Sequence, residues 1–104
     1  SKRAELALDR ASLTTIAGAT LQSGESIEAA NIYAMVLQAD KRDPRAIKGI
    51  LKIAEQLHTS GSDPDAAVRL YRFLLRTAPE SPLVEFMQEG LAAAEQKRAL
   101  GKTG

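Results

Sequence analysis

Two stretches decide the fold: "EAANIYAMVLQADKRDP", residues 28–44, and "DAAVRLYRFLLRTAPESP", residues 65–82. Each carries Ala-x-x-x-Tyr and then an apolar pair, Ala29, Tyr33 and Val36-Leu37 in one, Ala67, Tyr71 and Leu74-Leu75 in the other. Steps of three and four residues put these side chains on a single helix face. A small residue beside an aromatic one turn later suits two helices that cross closely. The phrase is therefore an amphipathic helix written twice, with Ala29 and Ala67 lying 38 residues apart.

Working outward, punctuation divides the rest of the chain into helical segments. From Lys2 to about Gln22, Leu6, Leu13, Ile16, Ala17, Thr20 and Leu21 recur at helical steps. "QSGES" breaks that pattern at Gly24, and Ser26–Ala39 follows with Ala29, Ile32, Tyr33, Val36 and Leu37 inward. Asp43-Pro44 and Asp63-Pro64 are start signals, because Asp accepts bonds from orphan amides and Pro loses nothing at the first helical position. The helix from Pro44 to about His58 buries Ile47, Ile50, Leu51 and Ala54; the one from Pro64 to about Thr77 buries Ala67, Leu70, Tyr71 and Leu74. Ser81-Pro82 opens a last helix to about Leu100 that buries Leu83, Phe86, Met87, Leu91 and Ala94, and "GKTG" reads as a frayed tail. No segment alternates at period two. The expected fold is all-α: five to six helices in antiparallel helix-turn-helix hairpins, one domain over residues 1–104.

Leu13 and Ile47 open similar apolar patterns 34 residues apart, and the order of residues resembles the tetratricopeptide repeat family, whose unit reads W-x2-L-G-x2-Y…A-x3-F…P. The first unit, about 10–43, offers Leu13-x2-Ile16-Ala17-x2-Thr20, Gly24 and Ala29-x3-Tyr33. The second, about 44–81, offers Ile47-x2-Ile50-Leu51-x2-Ala54, Gly61, Ala67-x3-Tyr71 and Pro79. Phe86-x2-Glu89-Gly90-x2-Ala93 begins a degenerate third start, the capping helix of about 82–100. The Trp is missing from both units, Leu51 stands where a small residue is usual, and Lys41 replaces the first closing proline. The resemblance implies hairpins stacked as a short right-handed superhelix, with the first helix of each unit lining a concave groove. Two units and a cap are fewer than the usual three, so self-association through the uncovered ends is a second expectation.

Composition narrows the functional classes. Hydrophobic residues make up 44% and charged residues 26%, which describes a globular chain rather than a disordered one. The formal net charge of +1 supplies no global attraction to nucleic acid or anionic membrane. The absence of cysteine excludes disulfides and thiolate chemistry without fixing the compartment. Apolar runs fall far short of the roughly 18 residues of a membrane span. The start at Ser1, without a signal pattern, leads to the expectation of a processed product or a piece of a longer chain.

Candidate chemistry is sparse. His58, the one histidine, has no metal-spaced partner and reads as a residue favoured at a helix C-terminus. Glu25, Glu28, Glu85 and Glu89 read as solvated acids, and Ser23, Ser60 and Ser62 have no evident base. "GKTG" lacks the upstream glycine and flanking strand of a phosphate loop, since Gln96 fills the required place. No catalytic residue, metal site or cofactor is expected, and the expected function is a non-enzymatic interaction module.

Basic side chains carry the binding expectation. Arg42, Arg45, Lys48 and Lys52 follow one another at helical spacing. With the resemblance, Arg45, Lys48 and Lys52 face the groove beside Thr14, Gly18 and Leu21, over a floor shaped by Ile16, Leu21 and Leu51. Such a stripe suits a protein or peptide partner carrying an acidic segment. Some family members grip the C-terminal carboxylate of heat-shock chaperones with Lys and Asn; Thr14 and Gly18 occupy those places, which argues against that partner. Arg69, Arg72 and Arg76 form a second stripe, either a solvated convex face or a helix aimed at nucleic acid. The near-neutral charge favours the solvated face.

Overall fold

The computed structural model describes residues 9–103, with side chains as far as Gly101. It is all-α: α1 (Arg10–Gln22), α2 (Ser26–Ala39), α3 (Pro44–Thr59), α4 (Pro64–Thr77) and α5 (Val84–Thr103), with no strand among the described residues. Leu6 and the expected first turns of the opening helix lie outside the described residues.

The helix starts obey the expected chemistry. Asp9 caps α1 by accepting from the Ser12 amide at 2.7 Å, and that bond holds its carboxyl below the usual carboxylate value. Asp43 accepts from the amides of Arg45 and Ala46 at 3.0 and 3.2 Å, and Asp63 accepts from Ala66 at 3.0 Å. A proline follows each of the latter two at the first helical position. The third start differs. Ser81 Oγ accepts from the Leu83 amide at 3.1 Å and the Val84 amide bonds the Ser81 carbonyl, so a turn over 81–83 precedes α5 rather than the helix opening at Pro82.

Two glycines close the hairpins. Gly24 and Gly61 have φ of +87° and +74°, a region where a Cβ is strained. At the first, Glu25 N–H donates to Thr20 O and Gly24 N–H to Leu21 O, the paired bonds of a Schellman stop. At the far end, Gly101 and Lys102 belong to α5, so the expected frayed tail is helical through Thr103.

Each helix packs on the next, and α1 on α3, α2 on α4 and α3 on α5 make the second set of contacts. The result is two layers, α1/α3/α5 and α2/α4, in a body of 53 × 31 × 18 Å. Between the layers lies one continuous core, led by Val36, Leu37, Ile50, Ile53, Val68, Leu74 and Met87. Ala29, Ala67, Ala17, Ala54 and Ala94 are fully buried where the helices approach closely. Phe86, expected inward, is 62% exposed, and Ile16 is 43% exposed. Ile53 and Leu57, which follow Ile50 at further helical steps, join the core instead of Leu51, which is half-buried.

The two tyrosines of the repeated phrase share a partner type. A Cβ built on Gly49 would lie 2.6 Å from the Tyr33 ring, and one on Gly90 2.2 Å from the Tyr71 ring. Each tyrosine of the α2/α4 layer is thus seated on a bare stretch of the following helix. This pairing makes Gly49 the counterpart of Gly90, which places the small residue of α3 at Gly49 and not at Leu51.

Candidate functional site

Lys48, Leu51, Lys52, Glu55 and His58 recur at three- and four-residue steps, so α3 presents them along one face. Opposite stand Leu83 and, from α5, Phe86, Glu89 and Gly90. Tyr71 of α4 forms the floor between them. Together they line an open groove of about 430 Å³.

The floor is rigidly built. Tyr71 is 2% exposed, its ring lies against the backbone of Gly90, and its hydroxyl is 3.1 Å from Nε2 of His58. The two rings are 5.7 Å apart and tilted by 57°. Burial, with the Glu55 carboxylate adding to it, pushes the Tyr71 hydroxyl up to about 12, so it is neutral across the physiological range. One tyrosine therefore ties α3, α4 and α5 together beneath the groove. Tyr33, its counterpart in the first hairpin, has no side-chain hydrogen-bond partner among the described residues; the α1 residue that faces its hydroxyl is Gly18, which has no side chain to offer.

The walls combine opposite charges around an apolar centre. Lys48 and Lys52 are one helical turn apart on the α3 side, while Glu55 and Glu89 balance them further along and across. None of the four is ion-paired among the described residues. Phe86 offers most of its ring to solvent between Leu51 and Leu83. The surface can therefore take an apolar side chain and meet carboxylates on one flank.

Of the residues expected in the groove, Lys48, Lys52 and the floor residue Leu51 line it, and Thr14, Ile16, Gly18, Leu21 and Arg45 do not. Arg45 lines a separate shallow recess with Arg10, Asp40 and Asp43, where Arg10 is ion-paired with Asp40 and lies 3.6 Å from Asp43. Thr14 donates its hydroxyl to the Arg10 carbonyl within α1. Gly18 faces the Tyr33 hydroxyl, 4.0 Å from the position of a Cβ, and Leu21 is half-buried against the core. The physical reason is the layer order: α1 and α5 flank α3 on opposite sides, so residues of α1 do not reach the α3–α5 groove. Sequence reasoning passed over Phe86, Glu89, His58 and Tyr71 as groove residues. The arginine stripe of α4 is also divided: Arg72 pairs with Glu95 at 2.9 Å, Arg69 is exposed, and Arg76 turns to the loops.

Among the described residues no group of three or more His, Asp or Glu is placed to hold a metal ion, and no helix is long and apolar enough to cross a membrane. No protein-family model, curated protein or solved structure matches the chain.

Proposed function

We propose that this chain is a non-enzymatic, tetratricopeptide-like interaction module that binds a partner peptide in the groove between α3 and α5. The observation that supports this reading is Phe86, a large apolar side chain left 62% exposed between Leu51 and Leu83, with Lys48 and Lys52 beside it. Burying such a ring is worth about 1.5–3 kcal/mol, enough to anchor a segment. The occupant carries one apolar anchor, with a carboxylate on the side that meets Lys48 and Lys52. Glu55 and Glu89 disfavour a uniformly acidic partner and favour one whose charge changes along its length.

Selection from a randomised peptide library on the intact chain, followed by amide shift mapping, tests it. The expected result is an enriched apolar position next to Asp or Glu, with shifts at Leu51, Lys52, Phe86 and Gly90. Enrichment of no sequence, or shifts confined to other faces, overturns it.

A second reading, self-association of the stack, is favoured by Ile16 and Ile27, which are 43% and 44% exposed on α1 and α2. Sedimentation at rising concentration tests it. A monomer throughout removes it.

A further inference from the structure

A second recess lies at the end of the molecule where two inter-hairpin connections meet. Its volume is about 560 Å³, larger than the groove. The α2–α3 connection contributes Lys41 and Arg42. The end of α4 and the α4–α5 connection contribute Arg76, Pro79, Ser81 and Pro82, and Ile47 closes the back. Glu80 is the one carboxylate on its wall.

Three features distinguish this recess from an ordinary solvated surface. Lys41, Arg42 and Arg76 are free of ion pairs among the described residues, as Lys48 and Lys52 are. Here, however, three such cations share one recess with a single carboxylate, whereas the groove balances two against two. Cations after α2 and in the last turn of α4 suit the helix dipoles, but the dipoles do not require both sets to converge on one concavity. The exposed apolar part of the wall is Pro79 and Pro82, with Ile47 and Ala78 buried in the core. Ser81 Oγ accepts from the Leu83 amide, and its own proton has no acceptor among the described residues, so it remains a donor. Guanidinium, ammonium and hydroxyl donors around an apolar wall are the chemistry that recognises an anionic head on an apolar body.

We propose that this inter-loop recess binds a small organic anion, a phosphate monoester or carboxylate whose apolar portion lies on Pro79 and Pro82. Arg42 from the α2–α3 connection and Arg76 from the last turn of α4 clamp the head, Lys41 adds charge, and Ser81 donates a hydrogen bond. The site is independent of the α3–α5 groove and shares no lining residue with it. Because Arg42 lies in the connection after the first hairpin and Arg76 in the last turn of the second, an occupied recess also bridges the two hairpins.

The test is an amide-shift titration of the intact chain with phenyl phosphate, benzoate and uncharged benzyl alcohol at low salt. Saturable shifts at Arg42, Ile47, Ala78 and Ser81 with either anion are expected, and the anion that binds more tightly identifies the head group. Replacing both clamps (Arg42→Gln with Arg76→Gln) weakens that binding on the order of tenfold or more, and added salt weakens it progressively. Both arginines are exposed, so the variant keeps its fold, which circular dichroism verifies. No saturable shift with either anion overturns the proposal. So does equal binding of benzyl alcohol, or undiminished binding to the double variant.

Discussion

A Cβ on Gly90 would sit 2.2 Å from Cζ of Tyr71, closer than any side chain can approach, so the tyrosine of α4 lies directly on the backbone of α5. Gly49 repeats the relationship with Tyr33 at 2.6 Å. Gly90→Ala and Gly49→Ala therefore force a buried ring to move. Overpacking costs about 1–3 kcal/mol and the better helix propensity of alanine returns about 1 kcal/mol. Urea denaturation is expected to show a net loss of up to about 2 kcal/mol for each. Gly18→Ala, where the new Cβ meets only the Tyr33 hydroxyl at an ordinary 4.0 Å, is expected to stabilise by up to about 1 kcal/mol.

Tyr71 also sets a dependence on pH. Its hydroxyl titrates at about 12 in the folded chain against 10.0 when unperturbed, because burial disfavours the phenolate. The folded state then holds a proton that the unfolded state has released, so stability falls as pH rises between those values. The contribution is full below pH 10 and amounts to about 2–3 kcal/mol lost by pH 12. Tyr71→Phe removes this titration. The stability advantage of the parent chain over Tyr71→Phe is expected to shrink between pH 9 and 11.5 in paired urea titrations. A constant difference would show that the hydroxyl is not held in its neutral form.

Asp43 and Asp63 occupy equivalent caps but differ in surroundings. Asp43 is 4% exposed, takes two amide bonds and has Arg10 at 3.6 Å, whereas Asp63 takes one amide bond and is half-buried. Removing a cap costs about 1 kcal/mol. Asp63→Ala is expected near that figure and Asp43→Ala above it, nearer 2 kcal/mol, by thermal or urea unfolding. Asp43→Asn keeps the acceptor and is expected to recover most of the loss.

These particulars explain what could be read in the sequence. Caps and turn glycines are local chemistry, so Asp43-Pro44, Asp63-Pro64, Gly24 and Gly61 placed the helix boundaries without tertiary information. The Ala-x-x-x-Tyr phrase likewise located two buried faces. What failed was the width of each buried face: the expected core includes Leu51 and Phe86 and omits Ile53 and Leu57. Ile50-Leu51 both fit a helical stripe, and only the position of the neighbouring helix decides that Ile50 is buried while Leu51 borders the groove. The seat for each tyrosine was illegible for the same reason, since a glycine inside a helix carries no sign of the ring that rests on it. Spacing grouped Arg45 with Lys48 and Lys52. The structure separates them because Arg45, in the first turn of α3, opens beside the carboxylates of the preceding connection.

The proposed occupant of the α3–α5 groove is an apolar anchor with an adjacent carboxylate. The most direct test is a charge-swap cycle on a library-selected peptide, read by fluorescence anisotropy. Lys52→Glu in the chain, or Glu→Lys at the peptide's flanking position, is expected to weaken binding on the order of tenfold, and combining the two is expected to restore most of it. Equal affinities across all four combinations, or a double exchange as weak as the product of the single ones, would contradict the groove as the binding site.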